Sequence, residues 1–195
     1  MTLRPCSSAS AAGWLTSSDM PWHQLVALGP SGFDAYARLR FLPDPLYTGQ
    51  PEIRLGQGAP SEHELLRVVL EVLRLHTGAP NDVYFCLWDG WGGYPPLLLN
   101  CPRVGVPNRS YFLIHGTLSD FGDWDVVGIS PGHPRFDMPD PAFIWPADHA
   151  WSIANDVDPH YAGIGATSAA VEHLLTRPRL DVVSADPRVE QPHYS

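Results

Sequence analysis

The chain contains no lysine; all 12 of its basic residues are arginine. Lysine Schiff-base chemistry and a P-loop with its phosphate-binding lysine are therefore excluded, because the first needs a lysine amine as nucleophile and the second a lysine ammonium on the phosphates. Cysteine is scarce too. Cys6, Cys86 and Cys101 are an odd set without C-x-x-C spacing, which supports neither a disulfide framework nor a zinc cluster and fits a reducing cytoplasm. Residues 1–20 lack the apolar run of about 7–15 residues that a signal peptide needs, and "LRP" before Cys6 gives no lipidation context. No stretch approaches the roughly 18 apolar residues of a membrane helix, so no membrane partner is expected. With a formal net charge of −9 the chain also lacks the basic stripe that neutralises phosphates, which argues against nucleic acid.

What is present suits one core. Hydrophobic residues make up 44% of the 195 positions and charged residues 17%, while 21 Pro and 17 Gly call for many turns around it. The expected organisation is a flexible tail over 1–18, a single α+β domain over 19–184 and a polar tail over 185–195. "DMPWHQLVALG" reads as a short helix with Asp19 as N-cap and Gly29 at its end. "SGFDAYARL" reads as a second helix, and residues 42–60 as a long Pro/Gly-rich loop. The clearest element is "SEHELLRVVLEVLRLHTG", where Ser61 and Glu64 form an S-x-x-E capping box ahead of an apolar stripe that closes at Gly78.

"DVYFCLW" then reads as a core strand, with further strands at "RSYFLIHG", "DVVGI", "AFIWP" and "AWSIANDVD", and an edge strand at "LDVVSAD". Thr167 or Ser168 caps a last helix before Pro178. Connections too short for crossover helices predict antiparallel neighbours. The expected fold is α+β: a mainly antiparallel sheet of about five to six strands, flanked by an N-terminal helical part, a central amphipathic helix and a C-terminal helix.

Four strings carry possible chemistry. "GISPG" at 128–132 matches the nucleophile elbow G-x-S-x-G, but Pro131 has no N–H for an oxyanion hole and the Pro-rich sequence after it cannot begin a helix, so Ser130 reads as a turn residue and no catalytic residue is assigned. Residues 119–158 hold eight Asp against Arg135 alone, with His133, His149 and His160 in or beside them. Ligand types suit a metal, yet no H-E-x-x-H or calcium-loop spacing is present; solvated loop acids are expected, with no metal and no cofactor. Trp88, Trp91, Trp145 and Trp151, with Tyr94 and Tyr161, read either as core anchors or as a binding surface. Cys86 lies mid-strand and Cys101 has no neighbouring base, so thiol catalysis is not expected.

In order along the chain, "GFDAYARL", "VYFCLWDGWGG", "YFLIHGTL", "ISP", "WPADHAWSIANDVD" and "YAGIG" resemble an actinobacterial domain family of uncharacterised activity. Its pattern runs from G-F-x-A-Y-A-R through W-x-G-x-G and S-P-N-x-W-W-P-x-D-R-A-W to Y-x-G-G. The resemblance spans about residues 31–181. The chain departs from it at Ile144, at His149 where the family carries Arg, and in the enlarged segment after "ISP". The resemblance implies boundaries and no activity.

Two readings follow. The first is a non-enzymatic acidic interaction domain, immunity- or antitoxin-like, that binds a basic protein partner through its acidic segment. The alternative is a small-molecule or metal-dependent enzyme with an Asp/His site near Trp145 and Trp151. The candidate binding residues are Trp91, Trp145, Asp148, His149, Trp151, Asp156, Asp158 and His160.

Overall fold

The structure is a computed structural model describing residues 3–53, 56, 58–94, 96–122 and 139–195. Ser130, the strand expected over 125–129, Asp123, Asp125, Asp137 and His133 lie outside the described residues. The described chain builds one open sheet from nine strands: β1 (Arg4–Pro5), β2 (Ala35–Arg40), β3 (Val83–Trp88), β4 (Arg103–Val106), β5 (Arg109–Gly116), β6 (Phe143–Pro146), β7 (Trp151–Ala154), β8 (Tyr161–Ala166) and β9 (Val182–Ala185). Their order is β1-β5-β3-β6-β7-β8-β2-β9, with β4 sharing the outer edge of β5 with β1, and every pairing is antiparallel. Mixed helix and antiparallel sheet agree with the sequence expectation, but nine strands replace the five to six expected.

The extra strands have physical causes. "SGFDAYARL" is not helical. Its second half is β2, which is paired on both edges, by β8 and by β9, and ladder bonding on two sides outweighs the helix preference of Ala, Arg and Leu. Strand β8, "YAGIGA", hides behind glycines. A Cβ on Gly163 would collide with the Ala27 carbonyl, so the glycine lets helix α2 (Trp22–Leu28) lie directly on the sheet. Strand β4 joins β5 through the two-residue turn Pro107–Asn108, with Asn108 at φ 66°. Strand β7 stops at Ala154, before the acidic run expected to continue it.

Alternation along the strands sends side chains to two cores. Leu39, Phe85, Phe112, Trp151 and Ile164 face one core, closed by Leu66, Val69 and Leu73 of α3 (Glu62–Leu73), by Leu98 of α4 (Pro96–Leu99) and by Val171 and Leu174 of α5 (Ser168–Leu175). Cys86, Tyr111, Phe143 and Trp145 face the other, closed by Ala12, by Leu15 of α1 (Gly13–Thr16) and by Leu25 and Val26 of α2. Residues 3–18, expected as a tail, thus supply buried side chains, Leu3 among them.

Ser61 caps α3 as expected. Its hydroxyl accepts from the Glu64 N–H and the Glu64 carboxylate accepts from the Ser61 N–H. Thr167 caps α5, accepting from the Ala170 N–H. Asp19 does not cap α2, whose N-cap is Pro21; its carboxylate instead accepts from the Ser31 hydroxyl at 2.5 Å.

Candidate functional site

Strand β7 separates two groups of acidic residues and histidines. At one end, the turn from β6 to β7 holds Asp148 and His149. Asp148 accepts hydrogen bonds from the Thr77 hydroxyl at 2.9 Å, the Gly78 N–H at 2.8 Å and the Ala150 N–H at 3.2 Å. Burial alone would raise its pKa, but these bonds outweigh it and hold the carboxyl below its ordinary range. His149 takes a left-handed backbone, φ 53°, and stacks on Trp14 with ring centroids 4.3 Å apart. Partial burial pushes its pKa down, against the charge of Asp148. Both side chains are occupied in tying the turn to the segment after α3 and to the N-terminal helices.

At the opposite end β2, β3 and β7 leave the sheet and β6 and β8 enter it. A cavity of about 470 Å³ opens there, lined by Phe41, Glu52, Glu62, Trp88, Trp91, Asp140, Asn155, Asp156, Asp158 and His160, among others. The tight turn after β3 carries Trp91 to the rim, where it is 57% exposed and meets Trp88 edge to face at 5.7 Å. Gly90 is required in this turn, because a Cβ there would enter the Trp88 ring.

Arg109, from the start of β5, organises one wall. Its guanidinium lies over the Trp88 ring, 5.4 Å from the centroid, and bonds to Asp156 at 3.3 and 3.4 Å and to Asp158 at 2.7 Å. Asp156 is nearly sealed and Asp158 is open to solvent. His160 is buried and shares 3.1 Å between Nε2 and Asp44. Asp44 also receives two bonds from Arg38, at 2.6 and 3.0 Å, and one from Arg40 at 3.1 Å. Burial would raise the Asp44 pKa; the bonds from Arg38 and His160 and the arginine charges pull it down instead, to about 2.

The opposite wall is unbalanced. Asp140 pairs with His63 at 2.6 Å, but Glu52 and Glu62 have no hydrogen-bonding or cationic partner among the described residues. Burial, together with the charges of Asp140 and Glu52, pushes the Glu62 pKa up. Asn155 donates its backbone N–H to the Ala142 carbonyl at 2.7 Å. The residue is 9% exposed and lines the cavity, and its side-chain amide has no partner among the described residues.

Of the eight candidate residues, the structure therefore brings Trp91, Asp156, Asp158 and His160 around one cavity and leaves Asp148 and His149 at the far end of β7. Trp145 and Trp151 are fully buried on opposite faces of the sheet. The register sets this: Ile144 pairs with Ile153, so Trp145 and Trp151 differ in facing parity across the hairpin. Neither indole N–H finds a partner among the described residues.

Sequence reasoning missed Glu52, Glu62 and Asn155 as site residues. Glu62 carried one signal, its place as the first helical residue after a recognisable cap. Burial pushes the Cys6 pKa up to about 11 and raises those of Cys86 and Cys101, which disfavours the thiolate at each. Among the described residues no three His, Cys, Asp or Glu side chains converge as metal ligands, and no helix is long and apolar enough to cross a membrane.

Comparison with protein-family models, with curated proteins and with solved structures returns no match to this chain.

Proposed function

We propose that the protein is a non-enzymatic acidic interaction domain that receives a basic protein partner, in the manner of an immunity or antitoxin protein, at the cavity beside Trp91 and Asp156. The observation that carries this reading is the charge imbalance of the cavity. Glu52, Glu62, Asp140, Asp156 and Asp158 line it, and among the described residues the one guanidinium paired to them is Arg109. A surface that repels itself at rest gains most from a cation brought by a partner, and its field speeds encounter with a basic surface.

The concave shape keeps the enzyme alternative in view, because Asp156, Asp158 and His160 line one cavity. The hydrogen bonds of the two carboxylates favour binding over catalysis. Asp156 and Asp158 share Arg109, whereas a general acid or base needs a proton site facing the substrate.

A pull-down from the native host tests the reading, run with the wild type and with Asp158→Arg, an exposed charge reversal. The expected result is one basic protein, retained in equimolar amount at low salt and lost from the variant. Retention by both proteins alike, or an acidic partner, contradicts the reading.

A further inference from the structure

Resting on the proposal that this cavity receives a basic partner, the geometry points to an arginine side chain of that partner as the group it takes, with the guanidinium against Trp91 and bonded to Glu62, Asp140 and Asn155. The first support is Asn155. The residue is about nine-tenths buried, lines the cavity, and its side-chain amide has no partner among the described residues, so its hydrogen-bonding capacity is left to whatever enters the cavity. Its oxygen can accept an N–H that the chain itself does not supply. The second is the pair of exposed carboxylates Glu52 and Glu62, which have no cationic partner among the described residues. Glu62 stands close enough to feel the charges of Glu52 and of Asp140, the latter itself paired with His63.

The size of the missing cation follows from the spread of the carboxylates. No three ligand side chains converge on a point among the described residues, so the wall suits a cation several atoms wide better than a single metal ion. A guanidinium presents five donors in a flat fork and stacks on aromatic faces; an ammonium presents three donors from a point.

The chain already solves the same recognition problem within itself. Arg109 lies over Trp88 while bonded to Asp156 and Asp158, and Arg38 lies over Tyr161, 4.9 Å from its centroid, while bonded twice to Asp44. Trp91 offers the same combination of ring and carboxylates at the rim, with its own ring exposed. Phe41, Leu42 and Pro139 supply an apolar wall for the methylene stem.

Isothermal titration calorimetry on the full chain at low ionic strength tests the proposal with acetyl-Gly-Arg-Gly-amide and its lysine and citrulline counterparts. Saturable binding of the arginine peptide is expected, about fivefold weaker binding of lysine, and at least about tenfold weaker binding of neutral citrulline. Glu62→Gln with Asp140→Asn should weaken the arginine peptide by about tenfold, with a circular-dichroism melt that stays cooperative and well above the titration temperature showing that the chain still folds.

The proposal is overturned if no heat saturates with the arginine peptide, if lysine or citrulline binds equally well, or if magnesium or zinc chloride competes at stoichiometric concentration. Binding of poly-L-lysine reads the broader proposal separately. It persists when the arginine pocket alone is wrong and disappears when the acidic surface is not a basic-partner site at all.

Discussion

The two ends of β7 contain the same residue types and do different things. Asp148 and His149 at one end are held by Thr77, Gly78, Ala150 and Trp14, which makes them parts of a turn. Asp156, Asp158 and His160 at the other end line a cavity whose far wall carries carboxylates without counter-ions among the described residues. Composition is therefore a poor guide to a binding site in this chain. The deciding variable is whether the fold also brings carboxylates without counter-ions around a shared cavity, as among the described residues it does with Glu52 and Glu62 beside Asp156 and does not beside Asp148.

The contrast can be tested by substitution at both ends. The largest effect should come from neither end but from the strand between them. Trp151→Ala empties a fully buried position and is expected to cost about 3–5 kcal/mol in urea unfolding, against less than about 0.5 kcal/mol for exposed Trp91→Ala. A similar cost for both would erase the distinction between core and rim tryptophans.

Next in size, Asp156→Ala should cost about 2 kcal/mol, since it strips a buried carboxylate from Arg109 and leaves it the exposed Asp158 as carboxylate partner. Asp148→Ala should cost about 1 kcal/mol and leave cationic peptide binding unchanged, so a loss of binding there would join the two ends into one site.

A smaller, pH-dependent effect belongs to Asp44 behind His160. Its folded pKa of about 2 lies below the ordinary value of 3.8, so it adds stability above pH 3.8 that disappears as pH falls through 2. Asp44→Asn should therefore cost about 1–2 kcal/mol at pH 7, a figure discounted for its partial exposure, and close to nothing at pH 2. Equal cost at both pH values would show that the arginine pairing does not depend on the Asp44 charge.

Much of the fold was legible where local signals agree. The Ser61–Glu64 box, the strands at Val83–Trp88 and Arg109–Gly116 and the cap at Thr167 all stand where sequence pattern puts them. The illegible strands are those in which local preference and tertiary demand conflict. Ala35–Arg40 reads as helix until β8 and β9 flank it, and Tyr161–Ala166 is assigned to no element until α2 explains Gly163. Half of the candidate site shared this fate. Asp156, Asp158 and His160 are close in sequence and stay close in space, whereas Glu52, Glu62 and Asp140 meet only because a long loop, a helix start and a strand entrance converge at one end of the sheet.

The most direct test follows the indole N–H signals in a nitrogen-15 correlation spectrum as acetyl-Gly-Arg-Gly-amide is added. Trp91 and Trp88 report on the cavity and Trp14, stacked on His149, reports on the opposite turn. The account predicts saturable shifts of Trp91 and Trp88 with Trp14 unmoved; equal movement of Trp14, or no movement of Trp91, would contradict it.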